Sequence, residues 1–192
     1  KNANMKKLIL AFGVLASTFS FSQITTVTNG FSTNLTKSDL DFSGDRKLYA
    51  IGLNDKTSEN YLVVSKNKAG AENDLLYVDK FRKNSDGTFT KVVTERFTHP
   101  INKSLSFVNN RMMYSDVDKD GNGDFLYNIE QNENGVESHL EKAWGLVVFN
   151  NKTYKLWKNK DDNFKKTYTD EAFQKLPEPV KSKFLEFFNG LY

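Results

Sequence analysis

The chain has 192 residues, 38% hydrophobic and 14% aromatic, with a formal net charge of +3 and no cysteine. That length suits one domain with a sizeable core. The lack of cysteine excludes a disulfide framework and a cysteine nucleophile, even in an exported protein.

Residues 5–22 read as a secretory signal: Met5-Lys6-Lys7, an apolar run from Leu8 to Ala16, and the small-x-small site Ser20-Phe21-Ser22 before Gln23. Met5 reads as the initiator. Cleavage then leaves a mature chain, 23–192, delivered to the periplasm, the outer surface or the medium. The apolar run is too short to span a bilayer, and no later run approaches ~20 apolar residues, so no membrane span is expected in the mature chain. No cysteine follows the cleavage site, as a lipid anchor requires. Removing the signal takes away three of the 27 basic residues (Lys1, Lys6 and Lys7) and none of the 24 acidic ones, which leaves equal numbers. The sequence pI of about 8.8 therefore gives no argument for nucleic-acid binding.

The mature chain then alternates short β-branched and aromatic runs with clusters of Asn, Asp, Gly and Lys. Lys47–Leu53, Tyr61–Ser65, Leu75–Phe81 and Phe89–Phe97 read as strands, with Asp86-Gly87 as a hairpin signal between the third and fourth. Ser106-Phe107-Val108, Met112-Met113-Tyr114 and Phe125–Ile129 are extended runs, and Trp144–Phe149 and Lys152–Trp157 form a further hairpin around Asn150-Asn151. Near the end the period changes. Thr169 is placed to cap a short helix through Lys175, and Pro179 starts a second on which Val180, Phe184, Phe187, Phe188 and Leu191 fall at helical spacing, with Gly190 as its stop signal. The predicted fold is mainly β: an antiparallel meander of about eight strands, as a curved sheet or a sandwich, in a single domain with C-terminal helices over 170–190 that pack on the sheet.

One stretch carries chemistry. Asp116-Val-Asp118-Lys-Asp120-Gly121-Asn122-Gly123-Asp124 places carboxylates at loop positions 1, 3, 5 and 9 and glycine at position 6. Calcium takes six to eight oxygen ligands at flexible angles, and a tight loop aims alternate side chains inward. Asp116, Asp118, Asp120 and Asp124 would supply carboxylate oxygens and Asn122 its backbone carbonyl. A free turn has no reason to hold four repelling carboxylates within nine residues. Magnesium prefers a stricter octahedron, and the absence of Cys and His nearby argues against zinc, so the predicted ion is Ca2+. Position 12 is Tyr127, where an EF-hand has a bidentate Glu, and the flanks are strands. A weaker echo, Ser38-Asp39-Leu-Asp41-Phe-Ser43-Gly44, lacks the carboxylates at positions 5 and 9.

Catalytic signals are absent. There is no G-x-S-x-G, H-E-x-x-H, G-x-x-x-x-G-K or G-x-G-x-x-G, and His99 and His139 read as surface or hydrogen-bonding residues. No residue is assigned a catalytic role, and the favoured reading is a non-enzymatic monomer whose calcium is structural. A carboxylate-based glycan-active enzyme stays open, since two carboxylates in space suffice. A carbohydrate-binding module is the other alternative, drawing on Trp144, Tyr154 and Trp157; alternation puts Trp144 with Leu146 and Val148, and Trp157 on a polar-looking face.

Three resemblances bear on these expectations. The strand-loop-strand D-x-D-x-D-G-x-x-D of residues 116–124 resembles the calcium-binding β-hairpin loops of FG-GAP repeats in integrin-type propellers. The F-S-F-S-Q region at Phe19 to Gln23 and the Lys-, Asn- and Phe-rich composition resemble exported proteins of the Bacteroidetes. From Arg111 to Tyr192, S-D-V-D-K-D-G followed by a strand, K-x-Y-K-L at Lys152 to Leu156 and L-P-x-x-V-K at Leu176 to Lys181 resemble a family of small exported bacterial proteins named for surface polysaccharide biosynthesis. That resemblance implies a role in the cell envelope, with an envelope glycan or envelope protein as partner, and carries over no catalytic residue.

Overall fold

Alternation of apolar side chains builds two antiparallel sheets in this computed structural model, which describes residues 35–100, 103–133 and 139–192. The expected signal, 5–22, lies outside the described residues, as do 23–34. Strands β1 (Arg46–Asn54), β2 (Glu59–Lys66), β3 (Asn73–Lys83) and β4 (Phe89–Pro100) form a meander in the order β1-β2-β3-β4. The second sheet takes β5 (Lys103–Phe107), β6 (Met113–Ser115), β7 (Asp124–Glu133), β8 (Leu140–Phe149), β9 (Lys152–Asn159) and β10 (Tyr168–Thr169) in the order β10-β9-β8-β7-β5, with β6 also on β7. The fold is thus mainly β and antiparallel, and of the two expected arrangements it is the sandwich.

Each sheet is apolar on both faces. Leu62 and Val64 of β2 turn inward with Ile51, Leu53, Leu76 and Val78 to meet Phe125, Tyr127, Ile129, Leu146 and Val148 of the second sheet. Val63, between them, turns outward to Phe81, Ala50 and the incoming segment's Leu40 and Phe42. The outer face of the second sheet, Leu126, Ala143, Val147 and Leu156, is covered by α1 (Glu171–Gln174) and α2 (Glu178–Asn189) through Phe173, Val180, Phe184 and Phe188. Each such large side chain taken out of water contributes about 1.5–3 kcal/mol. The helices therefore spend their apolar face on the sheet. Their cap differs from expectation: Asp170, not Thr169, accepts the Phe173 N–H at 2.6 Å, while Thr169 belongs to β10.

Two local turns behave as their residues dictate. Asp86 accepts the Thr88 N–H at 2.9 Å in the β3–β4 turn. Asn150 and Asn151 both take left-handed backbone, with φ of 48° and 56°, which matches a two-residue hairpin. The aspartate echo at 38–44 is not a second loop of the same kind. Its Leu40 and Phe42 are buried against the first sheet, and Asp39 accepts the Thr36 N–H at 2.7 Å.

At one end of the sandwich the two sheets are tied by buried charge. Lys66 Nζ lies 2.6 Å from Asp74 Oδ2. The same lysine donates to the Leu105 carbonyl at 2.9 Å, and the same aspartate accepts the Leu105 N–H at 2.7 Å. Beside them, Lys103 reaches Glu141 at 2.5 Å and buried His99 sits 3.6 Å from the other Glu141 oxygen. His99, expected at the surface or in a hydrogen bond, is an interior residue here, whereas His139 is exposed.

Candidate metal centre

The opposite end of the sandwich carries the aspartate loop, which joins β6 to β7. Gly121 has φ of 90°, and a Cβ there would lie 2.9 Å from the Lys56 Cβ, so both backbone and space demand glycine. Backbone N–H groups organise the carboxylates. Gly121 N–H donates to Asp116 Oδ2 at 2.9 Å, Asp120 N–H to Asp118 Oδ1 at 3.3 Å, and Asn122 N–H to Asp120 Oδ1 at 2.7 Å.

Asp116, Asp118 and Asp120 are brought together: one oxygen from each lies within 4.8 Å of the others. Oxygens bound to one calcium at about 2.4 Å lie no more than about 4.8 Å apart, so the spacing fits that ion. Asp116 Oδ1 is buried and has no hydrogen-bond partner. The oxygen is thus desolvated without compensation, the condition that a cation relieves. The Asn122 side chain turns back to Asp120 Oδ2 at 2.9 Å, which leaves its backbone carbonyl for the role the spacing gives it.

Asp124 stands apart from these three. It is 1% exposed, and its Oδ2 accepts the Val117 N–H at 2.8 Å, closing the base of the loop. Burial first, and then the charges of Asp118, Asp120 and Asp116, push its carboxyl up to about 7, against the Val117 N–H that holds it down. Asp118 is also pushed up, by burial and then by Asp120. Tyr127, at position 12, is 1% exposed within the sandwich, so it belongs to the core.

The loop is docked on the β1–β2 turn through contacts no local pattern announces. Lys56 N–H donates to the Gly121 carbonyl at 2.7 Å, and Gly123 N–H donates to Asp55 Oδ1 at 2.7 Å. A Cβ on Gly123 would stand 2.8 Å from Phe125 and 3.2 Å from that Asp55 oxygen. Asn60 Nδ2 holds the other Asp55 oxygen at 2.6 Å. Burial pushes the Asp55 carboxyl up. Beside these contacts a polar cleft of about 220 Å³ opens between the sheets, lined by Asp55, Asn60, Lys80, Arg82, Gly123 and the Asn150-Asn151 turn among others.

The aromatic residues are placed elsewhere. Trp144 and Trp157 are cross-strand partners, so the polar-looking face that Trp157 shares with Thr153 and Lys155 is the inner one, to which Trp144 also belongs. Their rings are 5.5 Å apart, Tyr168 stacks on Trp157 at 6.0 Å, and Lys142 Nζ covers Trp144 at 3.8 Å and Trp157 at 5.0 Å. Tyr154 packs on the helix side. A signal for this arrangement was present: a two-residue turn at Asn150-Asn151 puts Phe149 opposite Lys152 and, by counting back, Trp144 opposite Trp157.

No family model matches the chain, and comparison with curated proteins and with solved structures finds no match. Among the described residues no helix is long and apolar enough to cross a membrane.

Proposed function

We propose that the loop from Asp116 to Asp124 binds one calcium ion, and that the ion braces the β6–β7 hairpin against the β1–β2 turn of an exported, non-enzymatic protein of the cell envelope. The observation that carries this reading is the gathering of one carboxylate oxygen each from Asp116, Asp118 and Asp120, with the Oδ1 of Asp116 buried and unpartnered. Asp116, Asp118 and Asp120 would ligate through carboxylates and Asn122 through its carbonyl, with Asp124 as the closing carboxylate. Asp124 reaches that role once its proton is displaced, which a nearby dication favours.

Bracing follows from the docking contacts. The loop's Gly121 and Gly123 backbone holds Lys56 and Asp55 of the other sheet, so an ion that fixes the loop also fixes the junction. Ligand that binds only the folded state adds RT ln(1 + [L]/Kd), about 2.7 kcal/mol at a hundredfold excess over Kd. A Kd of ~10⁻⁴ to 10⁻³ M suffices for an extracellular module. Export and a link to surface polysaccharide rest on the signal-like residues 5–22 and on the sequence resemblance of residues 111–192.

The test is thermal melting and calorimetry of the chelator-treated protein as calcium is added. The parent should show a one-to-one shift that magnesium does not reproduce. Asp118→Ala should lose that shift while its calcium-free melting temperature stays close to the parent's. Equal calcium shifts in variant and parent, or none in the parent, would overturn the assignment.

A further inference from the structure

The cleft beside the loop contains a second, unspent charge. Leu76, Val78 and Lys80 alternate along β3 and point into the sandwich, so the lysine occupies a position that its neighbours fill with apolar side chains. Lys80 is 5% exposed and lines the cleft. Its ammonium has no hydrogen-bond or ion-pair partner among the described residues; its described contact is the Phe125 ring, 5.7 Å away. The stem of the side chain is buried while its ammonium opens onto the cleft, where a partly desolvated cation without a protein partner can be reached by an anion.

Lys80 is not simply the loop's counter-ion. Asp55, Asp124 and Asp120 lie near enough to attract it and Arg82 near enough to repel it, yet none of the three carboxylates makes an ion pair with it. Both Asp55 oxygens are occupied by Gly123 N–H and Asn60 Nδ2. Arg82, one turn of the alternation further along β3, is exposed at the same cleft. The Asn150-Asn151 turn, with both residues in left-handed backbone, lines the same cleft.

We propose that this cleft is a binding site for a small oxyanion, a carboxylate or phosphate group carried on a polar molecule, held between the Lys80 ammonium and the Arg82 guanidinium with the Asn150 and Asn151 amides as flanking donors. Charge-assisted hydrogen bonds to an anion would satisfy the lysine that the fold leaves alone. The volume is below that of drug-sized pockets, so it admits one small group rather than an extended chain. The site stands on the cleft's own residues. A cation in the adjacent loop would cancel part of the negative field of Asp120 and Asp124 and strengthen anion binding without creating it.

The experiment is an amide-resolved NMR titration of the protein with glucuronate, inorganic phosphate and, as a neutral control, glucose, each in chelator and in calcium. Glucuronate or phosphate should move the Gly123, Asn150 and Asn151 signals saturably, and glucose should not. Arg82→Gln, at an exposed position that leaves the fold intact, should weaken the response at least about tenfold. No saturable shift with either anion in either medium, an equal response to glucose, or an unchanged affinity in Arg82→Gln would overturn the proposal. The chelator arm keeps it separate from the calcium assignment: anion shifts there stand whether or not calcium moves the signals of 116–124.

Discussion

The two ends of the sandwich treat buried charge in opposite ways. At the β5 end, Lys66 and Asp74 touch at 2.6 Å and divide the Leu105 N–H and carbonyl between them, so this pair is satisfied by the protein itself, while the neighbouring His99 keeps a buried Nε2 without a hydrogen bond. At the loop end, Asp55, Asp124 and Lys80 are each shifted toward the neutral form by burial, Asp116 Oδ1 has no hydrogen-bond partner, and the Lys80 ammonium has no hydrogen-bond or ion-pair partner among the described residues. The difference separates two uses of a buried ion. A charge paired internally fastens one element to another, whereas one left unpaired raises the energy of the protein, a cost that a bound counter-ion would offset.

The largest test of this contrast is at the β5 end. Asp74→Asn should cost about 3–5 kcal/mol in urea unfolding, because it leaves Lys66 buried without its countercharge. A loss below about 1 kcal/mol would show that the pair is solvated and the contrast false.

The pH dependence of the two ends should run in opposite directions. Asp124 has a folded-state value of about 7, above the unfolded ~3.9, so its proton stabilises the calcium-free fold fully below about pH 4. That stabilisation is lost as pH rises toward 7. His99 is held below its ordinary value by burial, against the pull of Glu141 and Asp74 and with the help of Lys103. Its contribution is present above about pH 6.5 and is lost as pH falls through the folded value. Unfolding in chelator across pH 4 to 8 should show both limbs. Asp124→Asn should remove the loss on the alkaline side, and His99→Gln the loss on the acid side; unchanged profiles would dismiss these groups.

The smallest effect is expected at Lys80. Lys80→Met in chelator should change stability by less than about 1 kcal/mol, since removing the ammonium relieves its desolvation while giving up its attraction to Asp55 and Asp124. A loss as large as that of Asp74→Asn would make the lysine a fastening like Lys66.

Much of the fold was legible because it is local. Alternating runs announced the main strands, and Asn150-Asn151 announced its hairpin through residues that tolerate left-handed backbone. The division into two sheets was not legible, because β5 pairs with β7 rather than with β4 and nothing within either strand specifies that partner. The three gathered aspartates were legible from spacing alone. Asp55 was not, since it reaches Gly123 across 68 positions of sequence. Lys80 could have been noticed as a cation on the apolar side of an otherwise alternating strand. How the face of Trp157 relates to that of Trp144 was not legible, because alternation fixes faces within a strand and only the register of the hairpin relates one strand's faces to the next.

The strand β7 shares one edge between two short partners, β6 over its first residues and β5 over its last. Beyond β5, the outward-facing N–H and carbonyl of Leu105 are already taken by Asp74 and Lys66, and the other border of the sheet is the two-residue β10. Among the described residues the second sheet thus offers an incoming strand no long row of free backbone groups, and this limits strand addition at its borders.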